Sequence, residues 1–191
     1  MIRSLIAVSL AALLAACAAP GPGGGAATQP PAAPAAKAGV FSLEGRIAVH
    51  YGEESLSGKF AWSHAPESDR VSLATPLGNQ IAQIVRDAGG VVLTNSRQEQ
   101  FRAPDVETLT EQQLGWNLPL TGLTDWVHGR PGGRAPQMQR DAAGRITQLK
   151  EAGWVIDYAY PDNSPQPQRL ILNYPRAEKP LEIRLVIDSR N

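Results

Sequence analysis

The chain has 191 residues, a single cysteine, and 18 basic against 18 acidic residues, so its formal net charge is zero. It has no basic stripe and no long run of like charge, which excludes the electrostatic signature of a protein that binds nucleic acid or an anionic surface. One cysteine also excludes an internal disulfide bond. We therefore expect no nucleic-acid partner, and we expect attachment to a membrane to come from a lipid.

The N-terminal segment predicts an exported protein. Arg3 gives it a short basic start, and the stretch from Leu5 to Ala16 is apolar apart from one serine. About 12 apolar residues are too few for the roughly 20 that span a bilayer as a helix, but they suit a signal peptide. The stretch ends in Leu14-Ala15-Ala16-Cys17, which resembles the lipobox of bacterial lipoproteins. We predict a signal peptide over residues 1–16 and lipid attachment to Cys17; a plain secretory peptide or a buried apolar helix is the alternative.

Residues 17–40 predict a tether. After Cys17 the sequence is nearly all Ala, Gly and Pro up to about Ala38, without apolar periodicity. This composition is typical of a disordered linker, and about 20 residues of it have an r.m.s. span of roughly 25 Å. In enterobacterial lipoproteins an aspartate directly after the lipidated cysteine signals retention in the inner membrane, so Ala18 resembles an outer-membrane routing signal. We therefore expect a lipid-anchored protein at the outer membrane whose folded part faces the periplasm.

Residues 41–191 fit one folded domain of about 150 residues, which is long enough to bury a core. Its first part alternates apolar and polar residues in short runs separated by turn residues, which predicts serial antiparallel strands. The apolar positions are Leu43, Gly45, Ile47 and Val49, then Gly58, Phe60 and Trp62, then Val71 and Leu73, then Ile81 to Val85 and Val91 to Thr94.

The middle of the domain predicts two short helices. Asp105 is a suitable N-cap for a helix that carries Leu109 on its apolar face and stops at Gly115. A second helix follows Pro119, with an apolar face formed by Leu120, Leu123, Trp126 and Val127. Alternation then returns at Trp154 to Tyr160, Leu170 to Tyr174 and Leu181 to Ile187.

The order of elements is therefore about six strands, two helices and about four strands, a mainly β fold. A single sheet of about ten strands twists and curls, which favours a barrel or half-barrel with the helices over its concave face. Such an interior is either filled by side chains or left as an apolar ligand cavity.

Motifs for catalysis and metal binding are missing from the sequence. The histidines His50, His64 and His128 are far apart, and there is neither a Gly-x-Ser-x-Gly elbow nor a His-Glu-x-x-His motif. Residues 129–133 are rich in glycine, but they lack the Gly-Lys-Ser/Thr of a phosphate-binding loop. We expect no catalytic residue, no metal and no cofactor, and so no enzyme; a hydrolase is the last of the alternatives.

Several segments, taken in chain order, are similar to the LolB family. They are Leu43 to Val49, Gly58 to Trp62, Leu73 to Gly78, Leu114 to Leu120 with Leu123, Trp126, Val127 and Gly129, Gly153 to Tyr158, and Arg169 to Leu172. Together they run through nearly all of the folded domain. The resemblance implies an unclosed antiparallel half-barrel, with the helices as a lid over an apolar cavity.

The resemblance also implies a function and partners. Members of the family receive lipoproteins from the periplasmic carrier LolA, hold their acyl chains, and release them into the outer membrane. We expect the same partners here: a LolA-type carrier, lipoprotein cargo bound through its acyl chains, and the outer membrane, with the protein acting as a monomer. Two alternatives stay open, namely a lipid-anchored carrier of another hydrophobic ligand and a structural or assembly lipoprotein with a filled core.

Two groups of site residues are expected. The family has a leucine on a protruding loop that is needed for membrane delivery, and Leu77 matches it between Pro76 and Gly78. The local turn chemistry places Leu77 near the apex of a turn, and on that ground alone a leucine folded into the core is an equal alternative. The resemblance implies exposure. Eight further residues either line an acyl-chain cavity or pack as ordinary core: Phe60, Trp62, Leu109, Leu123, Trp126, Val127, Trp154 and Tyr158.

Overall fold

The computed structural model describes residues 39–133, 135–175 and 179–191. The predicted signal peptide, the lipidated Cys17 and the tether up to residue 38 lie outside the described residues. The strands and helices are β1 (Phe41–Tyr51), β2 (Glu54–Ala65), β3 (Ser68–Ala74), β4 (Gln80–Asp87), β5 (Gly90–Asn95), β6 (Gln100–Ala103), α1 (Val106–Leu114), α2 (Leu120–Trp126), β7 (Gln137–Arg140), β8 (Ile146–Glu151), β9 (Trp154–Ala159), β10 (Arg169–Tyr174) and β11 (Leu181–Arg190).

All strands belong to one antiparallel sheet in the order β6-β5-β4-β3-β2-β1-β11-β10-β9-β8-β7. The sheet is not closed, because β6 and β7 are its two edges and do not pair with each other. The predicted mainly β, unclosed antiparallel fold is confirmed. The sheet has eleven strands where the sequence predicts about ten, and the alternation pattern does not locate β6, β7 or β8.

Alternation along the strands determines which face is buried. In β1, Leu43, Ile47 and Val49 are buried, while Glu44 and Arg46 face solvent. The same period of two recurs in β2, β10 and β11, so one face of the central sheet is apolar over its whole width. This is the face on which the helices pack.

Helix α1 begins and ends where the sequence predicts, and α2 begins directly after Pro119 as predicted and ends at Trp126, before the predicted stop at Gly129. The Asp105 carboxylate accepts a hydrogen bond from the backbone N–H of Thr108 at 2.7 Å, and Gly115 ends α1 in the left-handed conformation at φ 77°. Buried Thr110 of α1 accepts a hydrogen bond from the backbone N–H of Leu118 at 2.8 Å, just before α2. The helices are therefore tied to each other as one unit.

The helical unit touches both halves of the sheet, which shows that the sheet curls around it. The ring of His128, just after α2, lies 4.9 Å from Phe41 on β1, and Trp126 lies 6.3 Å from Trp154 on β9. Side chains of both halves and both helices form one continuous core. The result is a half-barrel whose concave face is covered by two helices. Among the described residues, no helix is both long enough and apolar enough to cross a membrane.

Candidate functional site

The loop between β3 and β4 presents a bare leucine to solvent. The backbone N–H of Gly78 donates to the carbonyl of Thr75 at 2.9 Å, and the N–H of Thr75 donates to the carbonyl of Asn79 at 2.8 Å. These bonds close a tight turn, and Gly78 completes it at φ 94°, a conformation that favours glycine. Leu77, after Pro76, is 91% exposed. A rigid turn that holds an apolar side chain in water fits a contact surface better than a core.

The eight candidate cavity residues come together between the helical unit and the sheet. Each is at most 8% exposed, and all belong to the same core. Trp154 lies between Trp126 on the helical unit and Tyr174 on β10, with ring centroids 6.3 and 4.9 Å away. In this structure these side chains pack against one another in the space between the helices and the sheet.

A buried carboxylate fastens the helical unit to the far half of the sheet. Glu151, at the end of β8, is 9% exposed and accepts a hydrogen bond from Trp126 Nε1 at 2.6 Å. It also accepts from the backbone N–H groups of Gly132, at 3.0 Å, and Gly133. We call these four residues the Glu151 cluster. The Glu151 cluster thus adds hydrogen bonds to the apolar packing between the helical unit and this half of the sheet.

A second buried carboxylate lies on the other half of the sheet. Asp69 on β3 is 3% exposed and accepts from Trp62 Nε1 at 2.8 Å and His64 Nδ1 at 2.7 Å. Because an ionised carboxylate only accepts, Nδ1 of His64 carries the proton. Arg86 on β4 completes the set with an ion pair at 2.6 Å. We call these four residues the Asp69 cluster. It joins β2, β3 and β4 at one end of the sheet.

Two clefts border the Asp69 cluster rather than the aromatic interior. One, of about 640 Å³, lies beside Phe41, and the other, of about 670 Å³, lies against α1 and Leu120 of α2. Both include His64, Asp69 and Arg86 in their walls, and neither is lined by any of the eight candidate cavity residues. Within residues 39–133, 135–175 and 179–191, no three His, Cys, Asp or Glu side chains come together as metal ligands.

Two titratable side chains of the interior are perturbed by burial. Burial raises the pKa of the Tyr158 hydroxyl, which has no hydrogen-bond partner among the described residues. Burial, together with the positive charges of Arg130 and Arg190, lowers the pKa of His128 from its usual 6.5 to about 4. His128 is therefore neutral at neutral pH and packs against Phe41 as an uncharged ring.

The depressed pKa of His128 gives a pH dependence of stability with a definite sign. Below pH 6.5 the unfolded chain takes up a proton at this histidine, whereas the folded chain resists it down to about pH 4. The free energy of unfolding is thus expected to fall as the pH drops through this window, by about 2 kcal/mol from this group. In urea titrations at pH 7 and pH 4.5, His128→Gln should lose that much less stability than the wild type. Equal losses in the two proteins would contradict the assignment.

The two carboxylate clusters are functional candidates that the sequence patterns do not reveal. Aspartate and glutamate usually face solvent, so the sequence does not predict that the side chains of Asp69 and Glu151 are buried. Two signals are available in the sequence. The period of two along β3 places Asp69 on the inner face with Val71, and a buried tryptophan needs a hydrogen-bond acceptor for its Nε1. Cys17 lies outside the described residues, so its lipidation stays a prediction.

Comparison with known proteins supports one family. The family described as outer membrane lipoprotein LolB matches residues 40–189. An outer-membrane lipoprotein LolB of Thiobacillus denitrificans is 41% identical over 87% of this chain and 90% of its own length. One of Cupriavidus metallidurans is 34% identical over 100% and 99%, and one of Chromobacterium violaceum is 38% identical over 83% of each chain.

A solved structure of a LolA superfamily protein from Nitrosomonas europaea is also similar, with a TM-score of 0.49 and 12% sequence identity over 81% of this chain and 86% of that chain. The family match covers the whole described half-barrel, from the first strand to the last, and the relatives align along nearly their full length. This chain belongs to the LolB family of outer-membrane lipoproteins.

Proposed function

We propose that this chain is the outer-membrane acceptor that takes lipoproteins from a LolA-type periplasmic carrier and inserts them into the outer membrane. It does so as a monomer, without an enzymatic step and without nucleic acid. The observation that carries the proposal is the family match over residues 40–189, from the first strand of the half-barrel to the last. The exposed Leu77 and the helix-covered apolar interior are the features of the fold that fit this task.

Burial of acyl chains supplies the driving force for cargo transfer. Each methylene removed from water is worth about 0.8 kcal/mol, so a lipoprotein with two or three acyl chains does not cross water unaided. The interior under α1 and α2 is apolar, and it is closed in this structure by Trp126 and its neighbours. Cargo therefore has to displace the helical unit, which exchanges contacts between side chains for contacts with acyl chains.

The lipid anchor and the loop leucine have different roles, namely attachment to the membrane and release of cargo. Lipidation of Cys17 holds the protein at the membrane, since one buried leucine contributes only about 1.5–3 kcal/mol. Leu77 acts at release, when its exposed apolar side chain enters or disturbs the leaflet beside the departing acyl chains; the support for this role is its exposure. The role of Leu77 is local, and it does not replace the anchor.

The test is transfer in two steps, with a lipidated cargo first bound to the LolA-type carrier. The processed, lipidated chain is reconstituted in liposomes, and depletion of the carrier, crosslinking of cargo to the chain, and cargo in the lipid are measured separately. We expect cargo to pass through all three places in that order. Cargo that stays on the carrier overturns the acceptor role. Uptake of free lipids without uptake of lipoproteins indicates a carrier of another hydrophobic ligand instead.

Leu77→Glu is expected to separate acceptance from delivery. The variant should take cargo from the carrier as the wild type does, because Leu77 does not touch the interior. Delivery to liposomes should fall at least about tenfold, since the loss of one buried leucine alone corresponds to about 1.5–3 kcal/mol. Leu77→Met keeps an apolar side chain on the same turn and should retain delivery. A charged residue at this position that leaves delivery unchanged would remove the loop from the mechanism.

A further inference from the structure

The hydroxyl of Tyr158 is buried in the fold without a hydrogen-bond partner. Among the described residues, three buried side-chain nitrogen or oxygen atoms lack a partner, namely Arg130 Nε, Arg190 Nη1 and the Tyr158 hydroxyl. Each arginine still donates through another nitrogen of its guanidinium group, Arg130 to Asp125 and Arg190 to the carbonyl of Pro167. Tyr158 has no second polar group in its side chain and is only 8% exposed. Of the three side chains, it alone makes no hydrogen bond to a described residue.

Strand register places Tyr158 in an apolar row on the inner face of the sheet. Tyr158 on β9 pairs with Leu170 on β10, Leu170 pairs with Leu185 on β11, and Leu185 pairs with Ile47 on β1. We call these four residues, all of them buried, the Tyr158 row. Each of the four strands is paired on both sides, so its backbone carbonyls are engaged in the sheet. The row therefore offers the hydroxyl no acceptor, and an unpaired donor in such surroundings is unfavourable.

Two other buried donors of the same interior have acceptors of their own. Trp62 Nε1 donates to Asp69 at 2.8 Å, and Trp126 Nε1 donates to Glu151 at 2.6 Å. In both cases the chain places a buried carboxylate beside the indole N–H. Tyr158 has no such carboxylate within hydrogen-bond distance, so its hydroxyl is free to donate to a molecule that enters the interior.

The hydroxyl keeps its proton and its place on the sheet. Burial raises the pKa of Tyr158, and the nearby Tyr160 and Glu151 raise it further, so the phenol is neutral at physiological pH. Because Tyr158 belongs to β9 and not to α1 or α2, displacement of the helical unit leaves it on the inner face of the sheet. Its O–H group then faces whatever replaces the helical side chains.

An ester-linked acyl chain carries the acceptor that this donor lacks. Its carbonyl oxygen accepts hydrogen bonds, and the rest of the chain is hydrocarbon that packs on leucine and isoleucine. An amide-linked chain brings an N–H group of its own, for which the Tyr158 row has no acceptor. An ester only accepts, so it matches a single buried donor better than an amide does.

We propose that the Tyr158 hydroxyl donates a hydrogen bond to an ester carbonyl of the lipoprotein cargo and so positions its acyl chains on the inner face of the sheet. This inference rests on the proposed function, because it takes the cargo to be acylated. The apolar side chains of the interior bind any hydrocarbon. The hydroxyl adds specificity, since it distinguishes an acyl chain from an alkyl chain of the same length.

The test compares two lipopeptides that differ only in their carbonyl groups. Both carry two chains of the same carbon number on a glyceryl group, joined by esters in one peptide and by ethers in the other. The processed, lipidated chain is reconstituted in liposomes of ether-linked phospholipid, so the peptide is the only source of ester carbonyls. Each peptide is offered from the LolA-type carrier, and photocrosslinking at successive times measures how long the chain holds it. We expect the wild type to hold the ester peptide about three- to tenfold longer, as for one hydrogen bond.

Tyr158→Phe removes only the hydroxyl and should abolish this difference between the two peptides. Tyr160→Phe is the matched control, because it removes a hydroxyl that already donates to the backbone carbonyl of Ile146 at 2.8 Å. It should keep the preference for the ester peptide. If the wild type holds both peptides equally long, or if Tyr158→Phe keeps the preference, the inference is wrong.

Urea unfolding separates a binding role of the hydroxyl from a structural one. Tyr160→Phe breaks a hydrogen bond and should lower the midpoint of unfolding. Tyr158→Phe removes an unpaired buried group and should leave the midpoint unchanged or raise it. A midpoint that falls as far in Tyr158→Phe as in Tyr160→Phe would show that the hydroxyl has a partner within the folded chain, and the inference would be overturned.

Two further arms separate the inference from the proposed function. The peptides are also offered from detergent micelles: an ester preference there, without uptake from the carrier, overturns the acceptor role and retains the role of Tyr158. Uptake from the carrier without any preference has the opposite meaning. The experiment is then repeated with ester-linked phospholipids. A preference that disappears in these liposomes shows that the hydroxyl binds membrane lipid, which overturns its assignment to cargo.

Discussion

Replacement of Asp69 by alanine is expected to lower the free energy of unfolding by about 3–5 kcal/mol, the range for breaking a buried ionic group away from its partners. The carboxylate is 3% exposed and receives hydrogen bonds from Trp62 and His64, both buried, as well as the ion pair from Arg86. Without it, the two ring N–H groups stay buried without an acceptor, and each such donor costs about 1–3 kcal/mol. Urea unfolding followed by tryptophan fluorescence measures the change.

The control for this prediction is Asp69→Asn, which keeps one oxygen as an acceptor but removes the charge. Its loss of stability should be clearly smaller than that of Asp69→Ala. A second comparison uses Asp188, whose ion pair with Arg46 is solvent-exposed. Asp188→Ala should change stability by less than about 1 kcal/mol. If Asp69→Ala destabilises no more than Asp188→Ala, the Asp69 cluster does not hold β2, β3 and β4 together.

Replacement of Glu151 by alanine is expected to cost about 2–4 kcal/mol and to loosen the helical unit. Trp126 Nε1 is left buried without an acceptor, while Gly132 and Gly133 are exposed enough for their N–H groups to find water. The estimate is therefore below that for Asp69. Because the Glu151 cluster fastens α2 to the second half of the sheet, binding of a hydrophobic fluorescent probe should rise in parallel.

A double-mutant cycle with Trp126→Phe isolates the hydrogen bond between the two residues. Trp126→Phe keeps a ring in the core and removes only the donor, so the pair Trp126→Phe and Glu151→Ala should be less destabilising than the sum of the single changes. Glu151→Gln retains an acceptor and should stay close to the wild type in probe binding. If the losses of stability are additive and probe binding is unchanged in every variant, apolar packing alone holds the helical unit on the sheet.

The sequence predicts the parts of this fold in which local pattern and tertiary environment agree. In β1 the period of two is regular, and in α1 the Asp105 cap and the Gly115 stop act within a few residues of the chain. The turn that carries Leu77 also follows from local chemistry, because Pro76 and Gly78 suit its second and fourth positions. For each of these features, the information lies in neighbouring residues.

The sequence does not predict β6, β7 and β8, because none of these strands has a regular alternation of buried and exposed residues over enough positions. The edge strands β6 and β7 have only four residues each and bury none of them, and one or two apolar residues are too few to define an alternating pattern. In β8 the alternation is broken, because Ile146 and Leu149 are three residues apart, and the register shifts beside Arg140. Glu151 at the end of the same strand is buried, whereas a carboxylate in a sequence pattern normally indicates an exposed position.

The clusters around Asp69 and Glu151 depend on contacts that sequence patterns do not encode. Trp126 and Glu151 are 25 residues apart, and Arg86 and Asp69 are 17 apart. Nothing in the spacing of these residues identifies them as partners before the sheet is folded. The closed state of the interior is likewise a result of packing, which the list of apolar residues does not determine.

The order of strands also has a consequence for how the protein folds. Every pairing in the sheet joins strands that follow one another along the chain, with one exception, β1 with β11. The strands β1 to β6 and β7 to β11 are therefore two meanders of short-range contacts, which form quickly. Pairing of Leu43 with Arg190 joins them, and it closes a loop of nearly the whole domain. We therefore expect the docking of the two half-sheets to be the slow step of folding, because it needs the last strand of the chain.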